Sequence, residues 1–349
     1  MKDVESLYTP VNLIKKAFTN DGGTRTILAG DIGGTKSNLA IFEFQGDNFR
    51  VVKEVTLKSN HFTDAQTMIS SFLSDNEKPD VITLGVAGPV IAGSVSITNL
   101  TWGMKAEDIS SANGFTPVHL INDLEATSYG LALLTAGDIL TIHEAQREIS
   151  GNIALIAPGT GLGESGLYFD GKSYHPFATE GGHCGFGPRT QLDIELYQYL
   201  SEKFGHVSWE RVVSGKGIEA IFDFLSKIKA REVPPPLQQA LEAGDKAKCI
   251  TDHAASYEIC HETLQIFLRF LAIEASNLAL KMKATGGIFI GGGIIPKLID
   301  KIEFDVFLEN FRNCGRMRPL LEDVPVRIIL NEKTALLGAA YYGAYKLPI

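Results

Sequence analysis

The stretch Thr26-Ile27-Leu28-Ala29-Gly30-Asp31-Ile32-Gly33-Gly34-Thr35, followed by Leu39-Ala40-Ile41-Phe42-Glu43-Phe44, decides how this chain folds. Two apolar runs flank a cluster of glycines, so residues 27–29 read as a strand, 30–35 as a tight turn and 39–44 as a returning strand. The plan recurs downstream. Residues 153–157 form a strand, Gly159-Thr160-Gly161-Leu162-Gly163 a turn, and 166–169 a second strand before Asp170-Gly171. Two such hairpins predict one architecture used twice.

Working outward, 80–87 and 117–122 read as buried strands, because short runs rich in Val, Ile and Leu are bounded by Gly, Pro and Asn. Helical patterns cover 191–204 and 216–230. Pro234-Pro235-Pro236 then reads as a loop, since no helix interior tolerates proline. A long helix is predicted over 251–283, with Leu264, Phe267, Leu268, Leu271, Ala275, Leu278 and Met282 as its core-facing stripe. It leads into the strand Gly287-Ile288-Phe289-Ile290 and the glycines 291–293; a strand over 326–330 and a helix over 333–345 close the chain. Leu13, Ile14, Ala17 and Phe18 predict a short amphipathic helix in a leader, residues 1–25, ended by Asn20-Asp21-Gly22-Gly23. Strands and helices mixed throughout define an α/β protein.

The chain has 349 residues, 44% hydrophobic and 21% charged, which is enough for about two domains. Acidic residues outnumber basic ones 41 to 32, a formal charge of −9 and the wrong sign for neutralising nucleic-acid phosphates. Nucleic acid is therefore not an expected partner. Cys184, Cys249, Cys260 and Cys314 form no CxxC pair, a pattern that fits reduced thiols in a cytoplasm. No run reaches the roughly 18 uninterrupted apolar residues of a membrane span, and the first residues lack a secretory apolar run, so a soluble cytoplasmic protein is expected.

The glycine turns carry the first chemical signal. In Gly30-Asp31-Ile32-Gly33-Gly34-Thr35 the backbone can approach a ligand closely, bringing amides and the Thr35 hydroxyl to phosphate oxygens. Asp31 stands at the strand end, where it is placed to hold magnesium through water. The turn is no GxxxxGK[ST] loop, and two strands flank it, which argues against a dinucleotide fingerprint. Thr160 and Gly161 in the second turn, with Gly291 and Gly292 in a third glycine cluster, complete a candidate nucleoside triphosphate site.

Asp31-Ile32-Gly33-Gly34-Thr35, Leu120-Ile121-Asn122-Asp123-Leu124-Glu125-Ala126, Gly159-Thr160-Gly161-Leu162-Gly163, Glu180-Gly181-Gly182-His183, His206-Val207-Ser208-Trp209-Glu210-Arg211 and residues 287–293 resemble, in order, the motifs of the bacterial glucokinases. The resemblance covers about residues 26–345. It implies the actin-like ATPase (ribonuclease H-like) fold: two α/β domains of duplicated mixed-sheet units, with a central cleft that closes over sugar and ATP. Residues 26–133 are expected as the small domain, joined by the C-terminal helix 333–349, and 134–332 as the large one.

By this resemblance Asp123 is the general base for a sugar hydroxyl, in keeping with a carboxylate that follows a buried strand. The alternative reading of Asp123 is a helix cap. Asn122 offers both a donor and an acceptor to the sugar. Asn99, Glu180, His183 and Glu210 are implied to complete the sugar site, while Trp102 is read as packing. The implied activity is transfer of the γ-phosphoryl group of ATP, with Mg²⁺, to the 6-hydroxyl of glucose, by a homodimer. A kinase for another hexose and a non-catalytic sugar or nucleotide sensor are the rival readings.

The chain departs from the family pattern in three places. Lys36 stands where these glucokinases usually carry Asn, which leaves the phosphate donor open. Only Cys184 follows His183, so the structural zinc of the related repressor and kinase family is not expected. The leader has no counterpart in the shortest members.

Overall fold

The computed structural model describes residues 11–13, 23–74, 77–97, 100, 102–145, 147 and 149–345. Strands β1 (Arg25–Ile32), β2 (Lys36–Gln45) and β3 (Asn48–Lys58) form an antiparallel meander. After them come β4 (Val81–Val86), a ribbon of β5 (Ser94–Ser96) with β6 (Gly103–Lys105), and β7 (Val118–Asn122). Strand β4 lies parallel to both β1 and β7, giving the order β3-β2-β1-β4-β7.

A second sheet holds β8 (Ile139–His143), β9 (Ile153–Pro158), β10 (Leu162–Phe169), β11 (Tyr174–Ala178), β12 (Gly287–Ile290) and β13 (Val326–Ile329). Its order is β11-β10-β9-β12-β13-β8, with β12 parallel to β9 and β13, and β8 antiparallel at the edge. Without β8, the second order repeats the first strand for strand, as the two hairpins predict. The central strands are buried on both faces: all six residues of β4 and all four of β12 are inside. That is why they read as unbroken apolar runs.

The chain divides into two compact units. One runs to Asp138 and takes back Leu167–Ala178 and the chain from Asn331; the other comprises Ile139–Gly166 and Thr179–Leu330. The first packs Leu28, Leu39, Ile69, Leu84 and Val86 into its core. The second is built around the helix Glu258–Met282, whose Leu264, Phe267, Leu271 and Leu278 lie in its core as the stripe predicts. This helix is long and apolar enough to cross a membrane by length and composition, and 78% of its most apolar window is buried within the fold.

Two expectations are corrected. The proline triplet opens a helix, Pro235–Glu242, with proline at its first positions. Proline has no N–H to donate, but at the first helical positions an N–H would find no intrahelical acceptor, and the fixed φ suits the first turn. The helix predicted over 251–283 is two, Lys246–Asp252 and Glu258–Met282. Between them the His253 ring bonds back to the Cys249 carbonyl at 2.9 Å, and the amides of Ser256 and Tyr257 turn onto the His253 carbonyl. The predicted leader helix falls on residues 14–22, outside the described ones. Leu13, its first apolar position, is buried and bridges Tyr174, while the Asn12 carbonyl accepts from the Tyr174 amide at 2.9 Å. Residues 12 and 13 thus cover part of the open edge of β11, where unpaired backbone groups would otherwise invite association.

The C-terminal helix Thr334–Tyr345 packs on the helix Asp123–Gly130 at backbone distance. A Cβ on Gly338 would meet the Ala126 carbonyl oxygen at 1.6 Å, and one on Gly130 the Thr334 carbonyl oxygen at 2.0 Å. Only glycine allows that approach.

Candidate active site

In the first unit, three parallel strands end along one edge. Asp31 on β1 is level with Gly85 on β4, and Val86 on β4 with Asn122 on β7. Ligands of open α/β sheets bind beyond such carboxyl ends, and the predicted residues of this unit gather there. Gly30 lies within β1 and Ile32 ends it, so the turn itself is Gly33-Gly34-Thr35, shorter than the sequence suggests. Gly30 faces inward, where a Cβ would come 2.5 Å from Leu84. Its glycine serves the packing of β1 on β4.

Ser59 holds the turn: its hydroxyl donates to the Gly33 carbonyl at 2.6 Å and its amide to the Thr35 carbonyl at 3.1 Å. Among the described residues the amides of Gly34 and Thr35 have no intramolecular partner, which leaves two donors for an anion. The Asp31 carboxylate accepts from the Asn38 amide at 3.2 Å, and Asn38 in turn accepts from the Thr56 hydroxyl at 2.8 Å. Burial raises the Asp31 pKa, against the opposing pull of the Asn38 bond and the Lys36 charge. Among the described residues no three His, Cys, Asp or Glu side chains form a metal cage. A carboxylate beside two amides without intramolecular partners does fit magnesium brought by a phosphate ligand, since that ion keeps most of its waters and takes its other oxygens from phosphates.

Asn122 and Asp123 divide the labour differently from the sequence reading. Asn122 is the cap: its Oδ1 accepts from the amides of Leu124 at 2.9 Å and Glu125 at 3.3 Å, and its Nδ2 donates to the Gly88 carbonyl at 3.2 Å. Asp123 is the first residue of the helix, half-buried, with Oδ1 also accepting from Leu124 at 3.0 Å. Gly85 lets this helix sit against β4, since a Cβ there would come 2.9 Å from that of Ala126. Asn99 lies outside the described residues. Trp102 is half-buried and donates to the Phe62 carbonyl at 2.9 Å, a packing position.

In the second unit, the glycines that follow β12 lie against the end of the parallel strand β9. The Gly291 amide donates to the Ile156 carbonyl at 2.8 Å, and Gly292, at φ +81°, lies so close to Pro158 that a Cβ would be 2.3 Å from its carbonyl oxygen. The second turn, with Thr160 exposed and Gly161 half-buried, follows directly. Glu210 joins this turn to the predicted sugar residues. Its Oε2 accepts from the Leu162 amide at 3.0 Å, against the face of Gly161.

Glu180 and His183 bracket the short helical turn Gly181–His183, and their side chains approach to 3.9 Å with both exposed. The turn rests on β10: a Cβ on Gly182 would meet the Leu162 carbonyl oxygen at 2.1 Å, and one on Gly181 the Glu164 carboxylate at 1.9 Å. His206 caps the arrangement with a 2.9 Å bond to the His183 carbonyl. Sequence reading missed Asn38, Ser59, Gly88 and Glu164, which hold the predicted residues without belonging to a recognisable motif.

Duplicated sheets of this order, with glycine turns and a carboxylate at the ends of their parallel strands, define an actin-like sugar kinase. The family model described as Glucokinase matches residues 28–346. A glucokinase of Trichormus variabilis is 38% identical over 337 residues, covering 91% of this chain and 98% of that protein. The crystal structure of a glucokinase from an Antarctic psychrotroph superimposes with a TM-score of 0.78 at 31% identity, covering 92% of this chain and 99% of that one. At 20% identity and a TM-score of 0.62, a ROK family glucokinase from Streptomyces griseus, solved with glucose and AMPPNP, shares the fold over 91% of this chain and 99% of its own. The chain belongs to the glucokinase family and is an ATP-dependent hexose kinase.

Proposed function

We propose that the chain transfers the γ-phosphoryl group of ATP to the 6-hydroxyl of glucose with Asp123 as general base. The observation that carries the assignment of the base is the placement of Asp123 at the carboxyl end of β7, held by a helix whose cap is its neighbour. Asn122 caps that helix, and Asp123 places a carboxylate in its first turn. Asp123 accepts the hydroxyl proton as the oxygen–phosphorus bond forms and the bond to the leaving ADP breaks; positioning and charge stabilisation supply most of the rest. The amides of Gly34 and Thr35, with the Thr35 hydroxyl, bind phosphate oxygens in the first unit. Thr160, Gly161, Gly291 and Gly292 take the nucleotide in the second.

Magnesium arriving with the phosphates would be held through water at Asp31, and when bound it neutralises charge on the phosphoryl oxygens. Glu180, His183 and Glu210 bind sugar hydroxyls, two carboxylates and an imidazole being suited to a polyhydroxy ligand. Asn122 joins them if the sugar exchanges its Gly88 bond for one to a hydroxyl. Asn99 enters on resemblance alone. The same proposal includes a cytoplasmic homodimer, with neither nucleic acid nor membrane as partner, at the entry step of glycolysis. The four free cysteines agree with a reducing compartment.

The test is coupled detection of ADP with ATP-Mg²⁺ and glucose, mannose, fructose, glucosamine and N-acetylglucosamine. Glucose is expected to give the highest kcat/KM by at least about tenfold, the discrimination that one well-bonded hydroxyl supplies. A different winning sugar overturns the substrate and keeps the kinase. No turnover with any sugar, with ATP or polyphosphate, leaves the sensor reading.

A further inference from the structure

Glu164, on β10, is 1% exposed, and neither of its carboxylate oxygens has a hydrogen-bond partner among the described residues. A buried carboxylate without a donor is costly, so the group must be accounted for. What faces it is a second buried acid, Glu274, on the helix Glu258–Met282. Glu274 is well supplied: Oε1 accepts from Lys281 at 2.9 Å and Oε2 from the Asn277 amide at 2.7 Å, while Arg189 bonds the other end of Asn277 at 3.1 Å. Two facing carboxyls, one with donors for both its oxygens and one with none, lack a single proton between them. The donor set makes Glu274 the ionised partner and Glu164 the one that carries the proton.

The position of this pair gives it a consequence. The Glu164 side chain lies directly against Gly181, its backbone carbonyl accepts from the Thr179 hydroxyl at 2.9 Å, and Thr179 accepts in turn from the Gly181 amide at 3.2 Å. Side chain and backbone of one residue thus support the turn that aims Glu180 and His183. We propose that Glu164 shares a proton with Glu274 and that this proton holds the Glu180–His183 turn in its sugar-binding position, which makes Glu164 a pH-sensitive positioning residue. The inference rests on the reading of that turn as part of the sugar site.

The titratable and charged groups around the pair are Glu274 and Lys281 from the long helix, Arg189 ahead of the helix Gln191–Phe204, and Glu180, His183 and Cys184 from the turn. Burial first, and then the charge of Glu274, push the Glu164 carboxyl up to about 8, with Lys281 acting in the opposite direction. Burial also raises Glu274. Below that pH the pair carries its proton. Above it, a second negative charge appears under Gly181 with no donor to meet it, and the turn must give way.

The experiment is KM for glucose and kcat measured from pH 6.5 to 9.5 for the wild type and E164Q, whose amide supplies a permanent donor to Glu274. In the wild type KM is expected to rise above pH 8 by up to about tenfold per unit, the limit for one linked proton, with kcat moving less. E164Q is expected to give a flat KM across the range. The same KM profile in both proteins overturns the proposal.

A second measurement guards against a variant that does not fold. Calorimetric glucose titration of the wild type at pH 8.5, in two buffers of different ionisation enthalpy, is expected to show proton uptake on binding; no uptake overturns the proposal equally. Glucose turnover that is intact at pH 7 without either pH effect defeats the role of Glu164 alone. Absence of glucose binding at every pH defeats the functional reading and the inference with it.

Discussion

Replacing Asp123 by Asn lowers kcat by about 10²- to 10⁴-fold, the contribution of a positioned general base, and leaves KM for glucose within about threefold. The change is isosteric, and Asn retains the oxygen that accepts from the Leu124 amide, so the local backbone has no reason to move. What it loses is the capacity to take a proton. Stability should fall by less than about 1 kcal/mol, since the cap of this helix is Asn122 and the change removes a favourable charge at its N-terminus. Coupled ADP detection with glucose titrations, beside a thermal melt, checks both parts. A variant with kcat within threefold of the wild type would remove Asp123 from the chemistry. One that melts far below it would return Asp123 to the structural role of a cap.

Gly338→Val is expected to be the most damaging change away from the site. Any side chain at 338 must displace the Ala126 carbonyl, which belongs to the helix that begins with Asp123. The two helices cannot part without uncovering Tyr341 and Ala339, both buried, or without moving Asp123, the proposed base. Overpacking at backbone contact costs about 3 kcal/mol and sometimes more, and here it is expected to lower kcat as well. Gly137→Ala is the matched control, because the nearest atom to its new Cβ is 3.8 Å away; it should stay within about 0.5 kcal/mol. Urea unfolding midpoints of the three proteins decide the matter. Equal midpoints for Gly338→Val and wild type would show that the helix pair has slack which the geometry denies.

How much of this was legible beforehand depended on which physical signal each residue gives. Strands β4 and β12 are buried on both faces and show as continuous apolar runs, so their places were readable. The glycine turns were readable too, because backbone that must bend sharply or meet other backbone closely admits little else. The proline triplet misled because a residue excluded from helix interiors is welcome at helix starts, and composition alone does not distinguish the two.

Asn122 and Asp123 are adjacent and both able to cap, so only the observed bonds assign the cap to the first and place the second inside the helix. Glu164 was invisible for a different reason. A glutamate directly after a glycine turn normally faces water, and nothing local announces that a second acid from residue 274 lies opposite. Long-range pairing of polar groups leaves no periodic trace, which is why the supporting residues Asn38, Ser59 and Gly88 escaped as well.

The most direct test of the central claim is the identity of the product. Purified protein incubated with ATP-Mg²⁺ and glucose, followed by phosphorus NMR, is expected to lose the γ-phosphate signal of ATP and gain that of a phosphate monoester coupled to the two protons at carbon 6 of glucose. Wild type should convert the sugar completely, while Asp123→Asn leaves it untouched over the same interval. Inorganic phosphate as the product, or a phosphate on another carbon, would contradict the assignment of this chain as a kinase that acts on the glucose 6-hydroxyl.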